Sequence, residues 1–242
     1  MSERRGSRRA SIVAVLGLLV LSTGCPKKNK PPPVVHLWLG PDNACAELVS
    51  GELRCQGRGD HGELGGGPGS GPVAVPGEGP VVSVRFPGRA ICVTREARKE
   101  ECRGEAPSAA NPPAQGSPSC SLASGKVACR GASFTPTPVL DGLGDAVELA
   151  EGTSHACARL ASGTVVCWGK NDVGQLATPS PAYAERPLAV QGLFGVTSLV
   201  AAGDGTCAIL TDKTVRCWGR NDHGRLSTRH ESVLTVPTPI HF

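Results

Sequence analysis

Residues Gly152 to Leu176 read GTSHACARLASGTVVCWGKNDVGQL, and Gly203 to Leu226 read GDGTCAILTDKTVRCWGRNDHGRL. Each stretch has the pattern of a β-hairpin. In the first, Cys157 to Leu160 and Thr164 to Cys167 are short β-prone runs. The intervening Ala161-Ser162-Gly163 has the chemistry of a three-residue loop ending in a left-handed glycine. That loop length sets the register: Leu160 faces Thr164, Arg159 faces Val165, Ala158 faces Val166, and Cys157 stands opposite Cys167. A cross-strand disulfide spans such a pair.

The same spacing accounts for every cysteine after residue 25. Cys45 and Cys55 flank Val49-Ser50-Gly51, Cys92 and Cys102 flank Glu96-Ala97-Arg98, and Cys207 and Cys217 flank Thr211-Asp212-Lys213. Cys120 and Cys129 are one residue closer, and a two-residue Ser124-Gly125 turn again sets them face to face. Each second cysteine is followed by one residue and then glycine, at Gly57, Gly104, Gly131, Gly169 and Gly219. Five concordant copies predict a repeat fold. The composition agrees: 32 glycines, 21 prolines and few aromatics favour short strands joined by turns over long helices.

Ahead of the repeats, residues 1–24 read as an export signal. Arg4, Arg5, Arg8 and Arg9 form a basic start, and Ile12 to Leu21 is an apolar run too short to span a bilayer. The run ends in Leu21-Ser22-Thr23-Gly24-Cys25, which resembles the lipobox of bacterial lipoproteins and marks Cys25 as the lipid anchor, although Ser22 stands where leucine is more usual. An ordinary cysteine beside a signal-peptidase site is the competing reading. Ser7 to Ile12 also resembles a twin-arginine signal. General secretion is favoured because a chain destined for five disulfides is better oxidised after crossing the membrane. Four arginines and Glu3 lie in residues 1–24, so the formal net charge of +4 falls to +1 without them. The basicity is therefore no nucleic-acid footprint. Residues 25–33 form the anchor and a Pro/Lys tether, and 34–242 the repeat domain.

Within that domain a second element recurs after each clear hairpin. Gly57, Asp60, Gly62 and Leu64 align with Gly169, Asp172, Gly174 and Leu176, and with Gly219, Asp222, Gly224 and Leu226; Asn171 and Asn221 correspond to Gly59. These residues are expected to form a scaffold turn. The alignment explains Arg58-Gly59-Asp60, an adhesion-type tripeptide falling where the other copies have Lys170-Asn171-Asp172 and Arg220-Asn221-Asp222. Proline-flanked apolar strands follow, at Pro72 to Val75, Pro136 to Leu140, Pro187 to Val190 and Thr235 to Ile240, where proline argues for sheet edges. Residues 105–119 break the pattern, making the second and third repeats degenerate.

The order of apolar strand, His-x-Cys-Ala-x-Leu, glycine turn, Val-x-Cys-Trp-Gly and Asn-Asp-x-Gly-Gln-Leu resembles the repeat of the regulator of chromosome condensation family, in the paired-cysteine form of exported bacterial proteins. The resemblance is strong over Ala146 to Leu226, fair over Val34 to Val75 and weak from Val81 to Gly131. It implies an all-β fold, a β-propeller of about five blades, two of them degenerate, with disulfide-crosslinked hairpins. A closed ring is expected, with Thr235 to Ile240 pairing beside Val34 to Leu39 in one shared blade and hiding two edges. An incomplete arc needing a partner is the alternative. With three tryptophans, one tyrosine and four phenylalanines, the core is expected to be Val, Leu and Ala. Zinc binding is disfavoured, because cysteines ten apart are not the close pairs of zinc ribbons.

No nucleophile-elbow, zincin, phosphate-loop or dinucleotide motif occurs in the sequence. Ser154-His155 is a tempting half of a nucleophilic pair, but neighbours on a strand point to opposite faces. His61 and His223 occupy equivalent turn positions. The expected function is non-catalytic, without cofactor or metal. It is that of a lipid-anchored scaffold binding an envelope or extracellular protein, touching the membrane through Cys25 and no nucleic acid. An envelope polysaccharide-binding module is the alternative, weakened by scarce aromatics; a propeller hydrolase or lyase ranks below it. Nucleotide exchange on a small GTPase, known in the wider family, is disfavoured by export.

Overall fold

In the computed structural model, residues 30–64, 71–96, 98–105, 119–130, 143–227 and 231–242 are described. They form five antiparallel sheets, each built from consecutive strands. The first holds β1 (Val34–Leu39), β2 (Asn43–Leu48), β3 (Leu53–Gly57) and β4 (Val73–Val75). The second holds β5 (Val81–Arg85), β6 (Arg89–Arg95) and β7 (Glu101–Glu105), and the third β8 (Ser119–Ala123) and β9 (Lys126–Arg130). The fourth comprises β10 (Ala146–Glu151), β11 (His155–Leu160), β12 (Val165–Lys170) and β13 (Tyr183–Ala189). The fifth comprises β14 (Val196–Ala202), β15 (Gly205–Leu210), β16 (Val215–Arg220) and β17 (Val233–Ile240).

The hairpin register follows loop length. Cys157 pairs with Cys167, Ala158 with Val166 and Arg159 with Val165, and the Leu160 amide donates to Thr164 O. All five cysteine pairs are disulfide-bonded, with Cα atoms 3.9 to 4.1 Å apart. Cross-links of this kind belong to chains folded in an oxidising compartment. Among the described residues no helix is long and apolar enough to cross a membrane.

Each sheet is a blade, and β1, β5, β10 and β14, the first strands of the first, second, fourth and fifth sheets, line the central channel. The proline-bearing strands β13 and β17 are outermost, as is β4 just after Pro72, so proline's missing amide falls on an edge. The Pro136 to Leu140 strand lies outside the described residues. Adjacent blades share cores. Leu53, Leu64 and Val75 of the first blade pack with Val84 and Ile91 of the second. Val127 and Cys129 of the third meet Ala156, Ala158 and Trp168 of the fourth. Leu176 and Leu193 meet Leu199 and Trp218 of the fifth. Among the described residues no core cluster spans the second and third blades.

Two expectations are corrected. The terminal strands do not share a blade: β17 pairs with β16, Val215 opposite Ile240 and Cys217 opposite Thr238, while β1 pairs with β2. The last repeat completes its own sheet because its fourth strand needs only a short return from the turn after Arg220. The first and fifth blades meet instead by packing, with Leu37, Ala46 and Leu48 against Ile209, Leu226 and Ile240, and with the Val34 amide on Lys213 O at 3.0 Å. Nor is the core only aliphatic, since Trp168 and Trp218 are fully buried.

The second blade differs where its fourth strand would lie. In the first, fourth and fifth blades the third-strand cysteine is covered by Val73, Leu188 or Thr238, and Cys55, Cys167 and Cys217 are fully buried. Among the described residues nothing pairs with the outer edge of β7, and Cys102 is exposed. Thiol exchange needs access to sulfur. Limiting reductant followed by alkylation and peptide mapping should therefore label Cys92 and Cys102 before the 45–55, 157–167 and 207–217 pairs. Earlier labelling of any of those three would contradict the exposed-edge account. This link closes a ten-residue step, so Cys92→Ala with Cys102→Ala should cost at most about 3 kcal/mol.

Candidate functional site

At one end of the blades lie the connections between first and second strands and the scaffold turns after the third. In each clear copy the turn's basic residue reaches its own aspartate: Arg58 to Asp60 at 3.6 Å, Lys170 to Asp172 at 2.8 Å and Arg220 to Asp222 at 3.4 Å. The hydrogen bonds of Lys170 and Gln175 hold the Asp172 carboxyl below its ordinary value. Leu64, Leu176 and Leu226 point inward and are buried. Asn171 Oδ1 accepts from the Leu176 amide and its Nδ2 donates to Thr178 O and Pro181 O. Asn221 repeats this on Leu226, Ser227 and Glu231. Gly59 has no side chain for that staple. Gly57 and Gly219 have φ of +122° and +94°, and a Cβ there would collide with the Asp42 or Asp204 carbonyl. Glycine is required at both positions.

The residue before that glycine ties one blade to the last. Trp218 Nε1 donates to Gln175 O at 2.9 Å, and Gln56 Nε2 donates to Arg225 O at 3.1 Å, both buried. Glutamine thus performs in the first blade what tryptophan performs in the fifth. Trp168 Nε1 has no partner among the described residues.

These ties support a belt of charge over three blade junctions. Gln175 Nε2 donates to Asp172 and Asp204, Asp204 pairs with Arg220 at 3.2 Å, and Arg58 donates to His223 Nε2 at 2.8 Å. Arg58 also pairs with Asp42 at 3.1 Å. Farther along, His61 accepts from Arg89 at 2.9 Å and lies 3.4 Å from Glu105. His61 and His223 therefore face different blade junctions.

Arg225 escaped sequence reasoning. It occupies the position of Gln175 and Glu63 and, like them, is buried. Its Nη1 donates to Gly40 O at 2.6 Å and Ala202 O at 3.2 Å, joining the fifth blade to the first. Burial lowers its pKa to about 10, opposed by Asp42, Asp204 and Asp222, so it stays charged at neutral pH. A cation at a variable turn position carries no sequence signal of burial.

Ser154 and His155 are held apart, Ser154 Oγ donating to Asp204 at 3.5 Å and His155 Nε2 meeting Thr206 Oγ1 at 2.7 Å. Cys92, Glu100 and Cys102 converge within 4.8 Å, but the sulfurs bond each other and Glu100 holds Arg85. Neither cysteine is a thiolate ligand in that form. Cys25 and Gly131 lie outside the described residues.

The innermost strands leave a channel of about 350 Å³, lined by residues 37–39, 149–151 and 199–201 with Val84 and Phe86. A neighbouring space of about 210 Å³ adds His36, Val81, Val82 and Ser198.

His155 supplies a test of the junction between the fourth and fifth blades. Burial, opposed by Asp204 and reinforced by Arg225, lowers its pKa from 6.5 to about 4. The folded imidazole stays neutral while the unfolded one takes a proton below about pH 6.5. Its contribution is complete above that pH and is lost as pH falls towards 4, by about 3 kcal/mol in all. Urea midpoints measured at pH 7.5 and 4.5 should fall farther for the native chain than for His155→Gln. Parallel falls would show that this imidazole is not the source.

The regulator of chromosome condensation (RCC1) repeat family matches residues 148–175 and 196–225. A search of curated protein sequences returns no match. Similar solved structures include yeast RCC1 (Prp20), at 16% identity over 86% of this chain and 49% of that one, with a TM-score of 0.40. Human WBSCR16 is 17% identical over 89% and 55%, with a TM-score of 0.43. Prp20p from Saccharomyces cerevisiae is 14% identical over 87% and 51%, also with a TM-score of 0.43. The chain spans about half the length of these proteins. The two matched regulator of chromosome condensation repeats fall on the fourth and fifth sheets, and the first sheet has the same order of four antiparallel strands.

Proposed function

We propose that this chain is an exported, lipid-anchored and non-catalytic propeller that serves as a protein-binding scaffold, with the charged turn face as its contact surface. The carrying observation is the belt itself. Exposed ion pairs contribute about 0–1 kcal/mol each to stability, too little for a row crossing three junctions to be explained by folding alone. Fixed charges of alternating sign on a rigid rim set orientation and partner choice. The separate commitments of Ser154 and His155 support a non-catalytic reading, since the imidazole is neither accessible nor bonded to the hydroxyl. The disulfides and the lipobox-like residues before Cys25 support export and anchoring at the bacterial cell envelope.

Two experiments test this. Cys25→Ser should move the protein from the membrane to the soluble fraction; unchanged membrane association would refute the anchor. The Cys25→Ser chain, immobilised and oxidised, should capture a protease-sensitive partner from an envelope extract. Lys170→Glu with Arg220→Glu should abolish that capture without changing the disulfide map. Capture that survives both charge reversals would remove the turn face as the contact surface. Retention only of protease-resistant polysaccharide would overturn the scaffold reading.

A further inference from the structure

Among the described residues, the channel combines an apolar wall with one charge that no cation answers. Trp38, Phe86, Val84, Leu149 and Val200 line it from four different blades. Its volume of about 350 Å³ lies within the range of small-ligand sites. Consecutive residues of β1, β10 and β14 line it, so exposed backbone of innermost strands adds hydrogen-bonding groups between the apolar side chains. Among the described residues of that lining, Glu151 is the single ionisable one. Its Oε1 accepts from the Cys120 amide at 2.8 Å, and among the described residues its Oε2 has no partner and no cation pairs with it. Burial raises the Glu151 pKa, which is the cost of a carboxylate partly removed from water without a counterion.

We propose that the channel binds an amphiphilic cation, a slender apolar chain ending in an ammonium group, with the ammonium against Glu151 and the chain along Trp38 and Phe86. An ammonium offsets the desolvated carboxylate and donates to its free oxygen. Trp38 and Phe86 give the chain apolar area to bury and the cation aromatic faces to approach. An anion of the same length meets a like charge, and a neutral alcohol leaves the carboxylate without its counterion. A metal ion is a poor occupant, since a single carboxylate is too few ligands.

Trp38 makes the site readable, because Trp168 and Trp218, the other two tryptophans, are fully buried. The oxidised full chain carrying Cys25→Ser is titrated with n-hexylammonium, hexanol and hexanoate, followed by tryptophan fluorescence and by calorimetry. Hexylammonium should bind saturably at one site, at least tenfold more tightly than hexanol or hexanoate. Trp38→Phe should silence the fluorescence change while calorimetric binding persists. Glu151→Gln keeps an oxygen for the Cys120 amide and should reduce hexylammonium binding to the level of hexanol. Should that variant fail to fold, Ala201→Leu, which fills the channel, should weaken hexylammonium binding at least tenfold. Non-saturable responses, equal binding of hexanoate, or undiminished binding by a correctly folded Glu151→Gln or Ala201→Leu chain would overturn the proposal.

Discussion

A sheet of four short strands has two faces to bury, and in a repeat fold it does so against the preceding and following sheets. Each junction must therefore satisfy the polar groups it encloses. Trp218 Nε1 on Gln175 O, Gln56 Nε2 on Arg225 O, and His155 on Thr206 are three solutions to that demand. Arg225 is the extreme case. Replacing an amide by a guanidinium puts a charge where water is excluded, and three backbone carbonyls together with Asp42, Asp204 and Asp222 offset the desolvation. Its bond to Gly40 O crosses the seam between the last and first blades, where chain connectivity gives no help, while those to Ala202 O and Arg220 O anchor it in the fifth blade.

Disulfides act within blades and side-chain hooks act between them. A cystine opposite itself fixes hairpin register, so a slip of one residue, which would turn every side chain to the wrong face, is forbidden covalently. The repeats can then tolerate poor turns elsewhere. The second blade keeps its cystine and shares a core with the first although no fourth strand covers Cys102 among the described residues. Local cross-links of this kind carry little information about how blades are ordered around the axis.

That division explains what the sequence made legible. Loop length fixed the pairing of Cys157 with Cys167, and proline marked the outer position of β13 and β17. All are consequences of residues within about ten positions of one another. The closure was misjudged because Thr235 to Ile240 has the same alternation whether it joins β16 or β1, and only three-dimensional packing chooses. The burial of Trp168 and Trp218 was missed because rarity in composition says nothing about where a residue sits. The partners of His155 and Arg225 lie 51 and 185 residues away, beyond any local pattern.

The same reasoning locates the surfaces left for function. Positions that recur in every clear blade, such as the turn glycines and Leu64, Leu176 and Leu226, are occupied by folding. Among the positions that vary between copies, some are taken up by blade ties, as at Arg225 and Gln56, while His61, Val173 and His223 at the turn tips and Glu151 on an innermost strand are left to differ. Because the blades are rigid units stapled at both levels, those side chains are held at fixed spacing around one axis. Specific recognition requires such an arrangement.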